Sequence, residues 1–208
     1  MLPSSEACER NKGPILEVLR SAFAQRAQVL EIGSGTGQHA VHFAAHLPHL
    51  AWHPTEQLNY LEDLAARVRL EGPRNLRAPS VLDVRQAVWP LRSVDAVFTA
   101  NTMHIMAWTE VVAMYRGIGA VLTSGGVMCA YGPFRYHGRY TSESNEAFDR
   151  MLQERDPLSG LRDMKDITAL AAQYGLRLRD DHDLPANNRL LVFVKDSLEA
   201  APSAASVR

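Results

Sequence analysis

The stretch Val-Leu-Glu-Ile-Gly-Ser-Gly-Thr-Gly, residues 29–37, decides the fold of this chain. Apolar residues within 27–32 predict a short buried strand, and residues 38–46 have the apolar spacing of a helix. The glycines between them permit backbone conformations that a side chain forbids and let a ligand approach the main chain closely. The helix that follows offers free N–H groups at its start. The stretch therefore predicts a ligand-binding turn between a strand and a helix.

The spacing of these glycines differs from that of a dinucleotide-binding turn. In the pattern G-x-G-x-x-G the third glycine would stand at position 38. That position holds Gln38, and the third glycine is Gly37. An acid, Glu31, precedes the first glycine by two residues. The order acid-x-G-x-G-x-G resembles the first motif of the Rossmann-like, seven-stranded methyltransferases that depend on S-adenosylmethionine.

Composition and charge limit the class of protein. The chain has 208 residues, 46% hydrophobic and 22% charged, with a net charge of −1. These values predict one globular domain without the overall basic field that favours nucleic acid. Cys8 and Cys129 have neither the number nor the spacing of a disulfide framework or a zinc site, and no signal peptide or membrane-spanning run is visible. We expect a cytoplasmic protein, monomeric or homodimeric, that acts on a small molecule without nucleic-acid or membrane partners.

Strand and helix patterns alternate along nearly the whole chain, which predicts a mostly parallel sheet covered on both faces. The predicted strands are 27–32, 50–53, 76–82, 94–99 and 127–131; the predicted helices are 14–24, 38–46, 58–70, 108–122, 146–154 and 163–174. Pro14 is expected in the first turn of its helix, and Leu58 on the buried face of another. Segments 176–183 and 190–195 predict a final antiparallel pair. The predicted fold is α/β, Rossmann-like and seven-stranded. We expect one domain over residues 1–199, with a cap segment 1–24, a substrate insert at about 132–162 and a flexible tail at 200–208.

A resemblance to one family extends over residues 9–195. It rests on a set of short motifs: Glu-Arg-Asn-Lys at 9–12, the glycine turn, Trp-His-Pro-Thr-Glu at 52–56, Asn-Thr-Met-His-Ile at 101–105, Tyr-Gly-Pro-Phe at 131–134, Ser-Asn at 144–145, Gly-Leu-Arg-Asp at 160–163 and Pro-Ala-Asn-Asn at 185–188. In these motifs the chain resembles the uncharacterised methyltransferases of domain-of-unknown-function family 938, related to the methyltransferase-like 26 proteins. The resemblance implies S-adenosyl-L-methionine as the cofactor and leaves the methyl acceptor open.

Several acids and glycines are candidates for binding this cofactor. Glu56 lies 23 residues after Gly33, near the spacing of about 20 at which nucleotide-binding α/β folds place an acid for ribose hydroxyls; a charge at the start of the next helix is the alternative interpretation. The resemblance implies that Glu31 holds the amino acid end of the cofactor and that Asp83 faces its adenine, although Asp83 at a strand end also suits a plain turn. The predicted cofactor-binding residues are Glu31, Gly33, Ser34, Gly35, Gly37, Glu56, Asp83, Val84 and Asn101.

The acceptor pocket is predicted at the same edge of the sheet. His104 follows the fourth strand, where open α/β sheets bind ligands, and its imidazole is a candidate catalytic base; packing in the pocket wall is the alternative. The resemblance implies that the N-terminal segment and the insert after the fifth strand complete the pocket. The predicted substrate-binding residues are Arg10, Lys12, His104, Tyr131, Phe134, Arg135, Tyr140 and Asn145. With Arg162, the cations among them could clamp a carboxylate on the acceptor.

Two other functions stay open on the sequence alone. An NAD(P)-dependent oxidoreductase would also use a glycine-rich turn, but Gln38 and the final strand pair disfavour it. A cofactor-binding protein without catalysis would keep the same glycines and acids. His39, His42 and His46 share one helix face without an acid, so we predict no metal site.

Overall fold

The computed structural model describes residues 2–196, and the predicted tail at 200–208 lies outside the described residues. The strands are β1 Gln28–Ile32, β2 Ala51–Glu56, β3 Ser80–Val81, β4 Val94–Ala100, β5 Leu122–Gly132, β6 Phe134–Arg135, β7 Arg162–Asp163, β8 Leu176–Leu184 and β9 Asn188–Lys195. The helices are α1 Glu6–Ala22, α2 Gln38–His46, α3 Leu61–Glu71, α4 Trp108–Val121, α5 Glu143–Arg155 and α6 Met164–Gln173, with a 3-10 helix at Leu58–Tyr60.

Seven of these strands form one sheet in the order β3-β2-β1-β4-β5-β9-β8. Strands β1 to β5 run parallel, whereas β9 is antiparallel to both β5 and β8. Strands β6 and β7 form a separate parallel pair within the insert after β5. The predicted Rossmann-like, mostly parallel sheet with a final antiparallel pair is therefore confirmed.

Two apolar clusters hold helices against the two faces of this sheet. On one face Phe98 packs with Ile15 of α1 and Phe43 of α2. On the other, Val97 packs with Tyr115 of α4 and Ile167 of α6. The side chains of consecutive residues of β4 point to opposite faces of the sheet, because side chains alternate along a strand. The sheet is thus the middle of three layers, as parallel sheets require.

The largest difference from the sequence-based expectation is in α1. The helix begins at Glu6, so Pro14 lies in its interior rather than in its first turn. An interior proline removes one backbone hydrogen bond. Burial of Ile15, Leu16 and Leu19 in the core offsets that loss, because most helical stability in proteins comes from packing. The longer helix carries residues 6–12 toward the end of the sheet at which β1, β2 and β4 finish.

Three other elements differ in extent. Strand β5 begins at Leu122, and Gly125, with φ +71°, lies in a stretch where its pairing with β4 shifts register. Strand β3 is only two residues long, although Leu76 makes an isolated bridge to Trp52. Leu58 lies in the 3-10 helix and is exposed, so it does not belong to the buried face of α3.

Candidate cofactor and acceptor site

The carboxyl ends of three neighbouring strands bring the predicted cofactor residues together. Ile32 at the end of β1 pairs with Thr55 of β2 on one side and with Thr99 of β4 on the other. The loop that starts at Gly33 therefore lies between Glu56 and Asn101. Strand order reverses at β1, and ligands of open α/β sheets bind at such a point.

The glycine loop has a conformation that other residues adopt only with strain. Gly33, Gly35 and Gly37 have φ values of +71°, +54° and +81°. A Cβ on Gly33 would lie 2.5 Å from Cγ2 of Thr102, so the loop passes close to the segment after β4. A Cβ on Gly35 would meet no atom within 4 Å, so the space in front of this residue is open.

Hydrogen bonds tie the loop to β2. The backbone N–H of Ser34 donates to the carbonyl of Thr55 at 2.9 Å, and that of Gly35 donates to Oε2 of Glu56 at 2.7 Å. Glu56 is the last residue of β2 rather than the first of a helix. Its carboxylate thus lies directly beside the open space at Gly35.

Glu31 is a buried carboxyl group at the base of the same loop. Its side chain is 2% exposed, and its Oε2 accepts a hydrogen bond from Nε1 of Trp52 at 2.9 Å. Burial raises the pKa of Glu31 to about 7, although hydrogen bonds from Trp52 and Ser34 oppose the shift. A cationic group next to this carboxyl would favour its ionised form.

The remaining predicted cofactor residues differ in their surroundings. Arg85 binds the Asp83 carboxylate at 2.6 Å and lowers its pKa by hydrogen bonding. Val84 is buried in the core beside α4. Asn101 has φ +57°, and its backbone N–H donates to the carbonyl of Tyr131 at 2.9 Å, which fixes the segment after β4 against β5.

A cavity of about 450 Å³ opens beside this segment. It gathers four of the predicted substrate-binding residues, Arg10, His104, Tyr131 and Asn145, together with Asn101 from the cofactor set. The other lining residues are Ala7, Asn11, Pro133, Ser144, Phe148, Pro185, Ala186 and Asn188. Four parts of the chain that are distant in sequence therefore form one pocket: α1, the segment after β4, the end of β5 with the insert that follows it, and the β8–β9 turn.

His104 forms part of the cavity wall. It is 7% exposed, and its ring meets the ring of Phe148 edge-on at 5.3 Å between centroids. Burial, and to a lesser extent the charge of Arg162, lower the pKa of His104 to about 4. The imidazole is thus neutral at pH 7 and can accept a hydrogen bond, but it is a weak base.

A buried polar contact links the cavity to the helix that follows the glycine loop. Oδ1 of Asn11 lies 2.7 Å from Nε2 of His39 in α2. Burial lowers the pKa of His39 to about 4, so its ring is neutral. Because the amide oxygen of Asn11 can only accept, Nε2 of His39 carries the hydrogen and donates this bond. The Asn11 side chain is also hydrogen-bonded to the Tyr131 hydroxyl. Burial raises the pKa of Tyr131, and this hydrogen bond partly opposes the rise. Sequence reasoning missed Asn11 and His39 as a pair, and the only signal for Asn11 was its place in the motif at 9–12.

The structure does not bring four of the predicted substrate-binding residues to this cavity. Lys12 forms an ion pair with Glu9, and Phe134 is buried in the core. The Arg135 guanidinium lies 5.7 Å from the centre of the Tyr140 ring, and both side chains are outside the lining of the cavity. Arg162, the further candidate clamp, donates to backbone carbonyls of residues 103, 106 and 158. Arg135, Tyr140 and Arg162 therefore make contacts within the insert and with the segment after β4.

Asp149 explains how the insert is fixed. It is 1% exposed, and it accepts hydrogen bonds from the Tyr140 hydroxyl at 2.7 Å, Nε2 of Gln153 at 3.1 Å and the backbone N–H of Leu161 at 2.6 Å. A buried carboxylate with three donors is stabilised in place. Asp149 therefore has the contacts of a structural residue.

Metal-binding clusters and membrane-spanning helices are absent from residues 2–196. No group of three or more His, Cys, Asp or Glu side chains there is arranged to hold a metal ion. No helix in the same range is long and apolar enough to cross a bilayer.

Comparison with known proteins agrees with the fold. The model of a family described as "Protein of unknown function (DUF938)" matches residues 2–195, so the chain belongs to that family. Among solved structures, an O-methyltransferase family protein from Burkholderia thailandensis aligns with a TM-score of 0.78 and 14% identity, over 93% of this chain and 59% of that one. Human N-acetylserotonin methyltransferase in complex with SAM aligns with a TM-score of 0.76 and 14% identity, over 92% of this chain and 53% of that one.

A third structure, an O-methyltransferase family 2 protein from Planctomyces limnophilus in complex with apigenin, aligns with a TM-score of 0.77 and 14% identity, over 88% of this chain and 56% of that one. At these identities the likeness concerns the fold. The chain spans little more than half the length of each of these proteins.

Proposed function

We propose that this member of the DUF938 family is an S-adenosylmethionine-dependent methyltransferase that acts on a small-molecule acceptor. One observation carries the proposal: the glycine loop, the carboxyl groups of Glu31 and Glu56 and a cavity of about 450 Å³ lie along one edge of the sheet. The fold shared with methyltransferases, one of them in complex with SAM, supports it.

The residues of the loop fit this cofactor in both shape and charge. The open space at Gly35 lets a ligand reach the backbone, which a Cβ would hinder. Glu56, beside that space, offers two oxygens to a vicinal diol. Glu31, with its raised pKa, would gain from a neighbouring ammonium group of the cofactor's amino acid end. We also assign Asp83 to the adenine side and Asn101 to the methyl donor side, on the strength of the family motif.

The chain's own contribution to methyl transfer is orientation. When bound, the cofactor supplies an electrophilic methyl group on a sulfonium. The walls formed by α1 and the insert exclude water and align the acceptor, and alignment of this kind supplies several kcal/mol of barrier lowering. Within the wall, the neutral imidazole of His104 offers one N–H donor and one nitrogen acceptor, and a hydrogen bond with it orients the acceptor.

A methyl-transfer assay tests the proposal against its alternatives. The purified protein is incubated with S-adenosylmethionine and a broad panel of small acceptors, and the S-adenosylhomocysteine formed is measured. Formation that depends on both acceptor and protein is expected. Cofactor binding without product from any acceptor would favour a binding protein without catalysis, and binding of NAD or NADP in its place would favour an oxidoreductase.

A further inference from the structure

The lining of the acceptor cavity carries one kind of charge. Thirteen residues of the described chain line it, and Arg10 is the single charged side chain among them. Neither Asp nor Glu occurs in that lining. An ammonium group entering the cavity would therefore lose water without gaining an anionic partner, which is costly.

Arg10 is free to pair with an anion. Its Nη1 lies 3.3 Å from Oε2 of Glu6, but the two side chains are 70% and 93% exposed. Exposed pairs of this kind contribute little free energy, so an acceptor can displace Glu6 easily. A guanidinium presents two parallel N–H donors that match the two oxygens of a carboxylate.

His104 is poorly suited to removing a proton from a neutral acceptor. Burial and Arg162, on β7, both disfavour its imidazolium form. From the other elements around the cavity it faces Asn101, Tyr131 of β5, Asn145 of α5 and, on α1, the cation Arg10. None of these groups would stabilise a positive ring as a carboxylate does. A base with a pKa of about 4 also lies well below the optimum for proton abstraction near pH 7.

We propose that the acceptor enters this cavity already ionised and is methylated on oxygen, as a carboxylate or an acidic phenol rather than as an amine. The inference rests on the proposed function. In the reaction, a lone pair of the acceptor oxygen forms the new C–O bond while the methyl carbon's bond to sulfur breaks and its electron pair stays on sulfur. No proton moves. The products are a methyl ester or an aryl methyl ether and S-adenosylhomocysteine.

Titration with four ring-matched probes tests this inference. The intact protein, first loaded with S-adenosylhomocysteine, is titrated with benzoate, 4-nitrophenol, benzyl alcohol and benzylamine. We expect the two anions to bind and benzylamine not to bind. At a pH where free 4-nitrophenol is ionised, the bound probe should keep the visible absorbance of the phenolate.

A pair of variants on α1 supplies the control. Arg10→Gln should weaken binding of benzoate by about two- to fivefold, the range of an exposed ion pair, and leave benzyl alcohol unchanged. Arg20→Gln removes a charge from the same helix outside the cavity, where Arg20 pairs with Glu17 at 3.7 Å, and should change neither.

The outcomes separate this inference from the proposed function. If S-adenosylhomocysteine fails to bind at the loading step, the proposed function falls and the inference with it. If it binds, three results overturn the inference alone: benzylamine binding as well as benzoate, bound 4-nitrophenol losing its phenolate absorbance, or no probe binding.

Discussion

Replacement of Gly35 by alanine separates the folding role of the glycine loop from its binding role. Gly35 has φ +54°, and a Cβ there would meet no atom within 4 Å. Gly125 has φ +71° and the same freedom from contacts, but it lies near the start of β5, at the opposite end of the strand from the site. The two positions are therefore matched for backbone strain, and only Gly35 borders the space assigned to the cofactor.

The expected stability loss is the same for both variants. A left-handed backbone costs an L-residue about 1–2 kcal/mol, and no steric term adds to it here. For a chain of this size, about 1 kcal/mol lowers Tm by about 2–4 °C. Only Gly35→Ala should also weaken binding of S-adenosylhomocysteine, by about tenfold or more, or about 1.4 kcal/mol, because its methyl group enters the space assigned to the cofactor.

The affinity for S-adenosylhomocysteine is measured by calorimetric titration of the two variants and the parent protein. Their Tm values are measured by thermal unfolding. Equal losses of Tm with a loss of affinity confined to Gly35→Ala are expected. Unchanged affinity in Gly35→Ala would refute the reasoning, because the cofactor would then not approach the backbone at this loop. An equal loss of affinity in Gly125→Ala would assign the effect to strain instead.

Three further predictions concern acids of the site and the insert. Glu56→Gln should bind S-adenosylhomocysteine about tenfold more weakly by calorimetry, because an amide replaces the charged acceptor while still accepting from the Gly35 N–H; unchanged affinity would remove Glu56 from the site. The unfolded chain releases the Glu31 proton near pH 4.5 and the folded chain near pH 7, so ionising Glu31 costs about 3 kcal/mol of stability as pH rises through that interval. Urea unfolding should therefore show Glu31→Gln more stable relative to the parent at pH 8 than at pH 5, and an equal difference at both would contradict the burial argument. Asp149→Asn should lower the free energy of unfolding by about 2 kcal/mol and leave cofactor affinity intact, because the new NH₂ group replaces the oxygen that accepts from Tyr140 and Gln153. Unchanged stability with a loss of cofactor affinity would make Asp149 a binding residue.

The sequence was sufficient for the sheet and for the place of the glycine loop at the end of β1. Local signals decided both: the glycine turn after β1, the apolar runs of the strands and the final strand pair joined by residues 185–187. The position of Glu56 beside the glycine loop could be predicted because its distance from Gly33 reflects the length of one strand–helix–strand unit. The extent of α1 could not, because Pro14 is a local signal whereas the packing that overrides it is tertiary.

The walls of the cavity were the least predictable part. Tyr131 and Phe134 lie three positions apart, and both are buried in the core, on opposite faces of the sheet. Only Tyr131 also lines the cavity, and no local pattern distinguishes the two. The contact between Asn11 and His39 joins residues 28 positions apart through two helices on one face of the sheet. Nor does a sequence disclose burial, which sets the protonation of His104 and Glu31.

The central claim, that this edge of the sheet binds S-adenosylmethionine, is tested most directly by calorimetric titration of the purified protein with S-adenosylmethionine and S-adenosylhomocysteine, with NAD and NADP as controls. Saturable binding of the first two at one site per chain, with no heat from the nicotinamide cofactors, is the predicted result. Binding of NAD or NADP, or of none of the four, would contradict the claim.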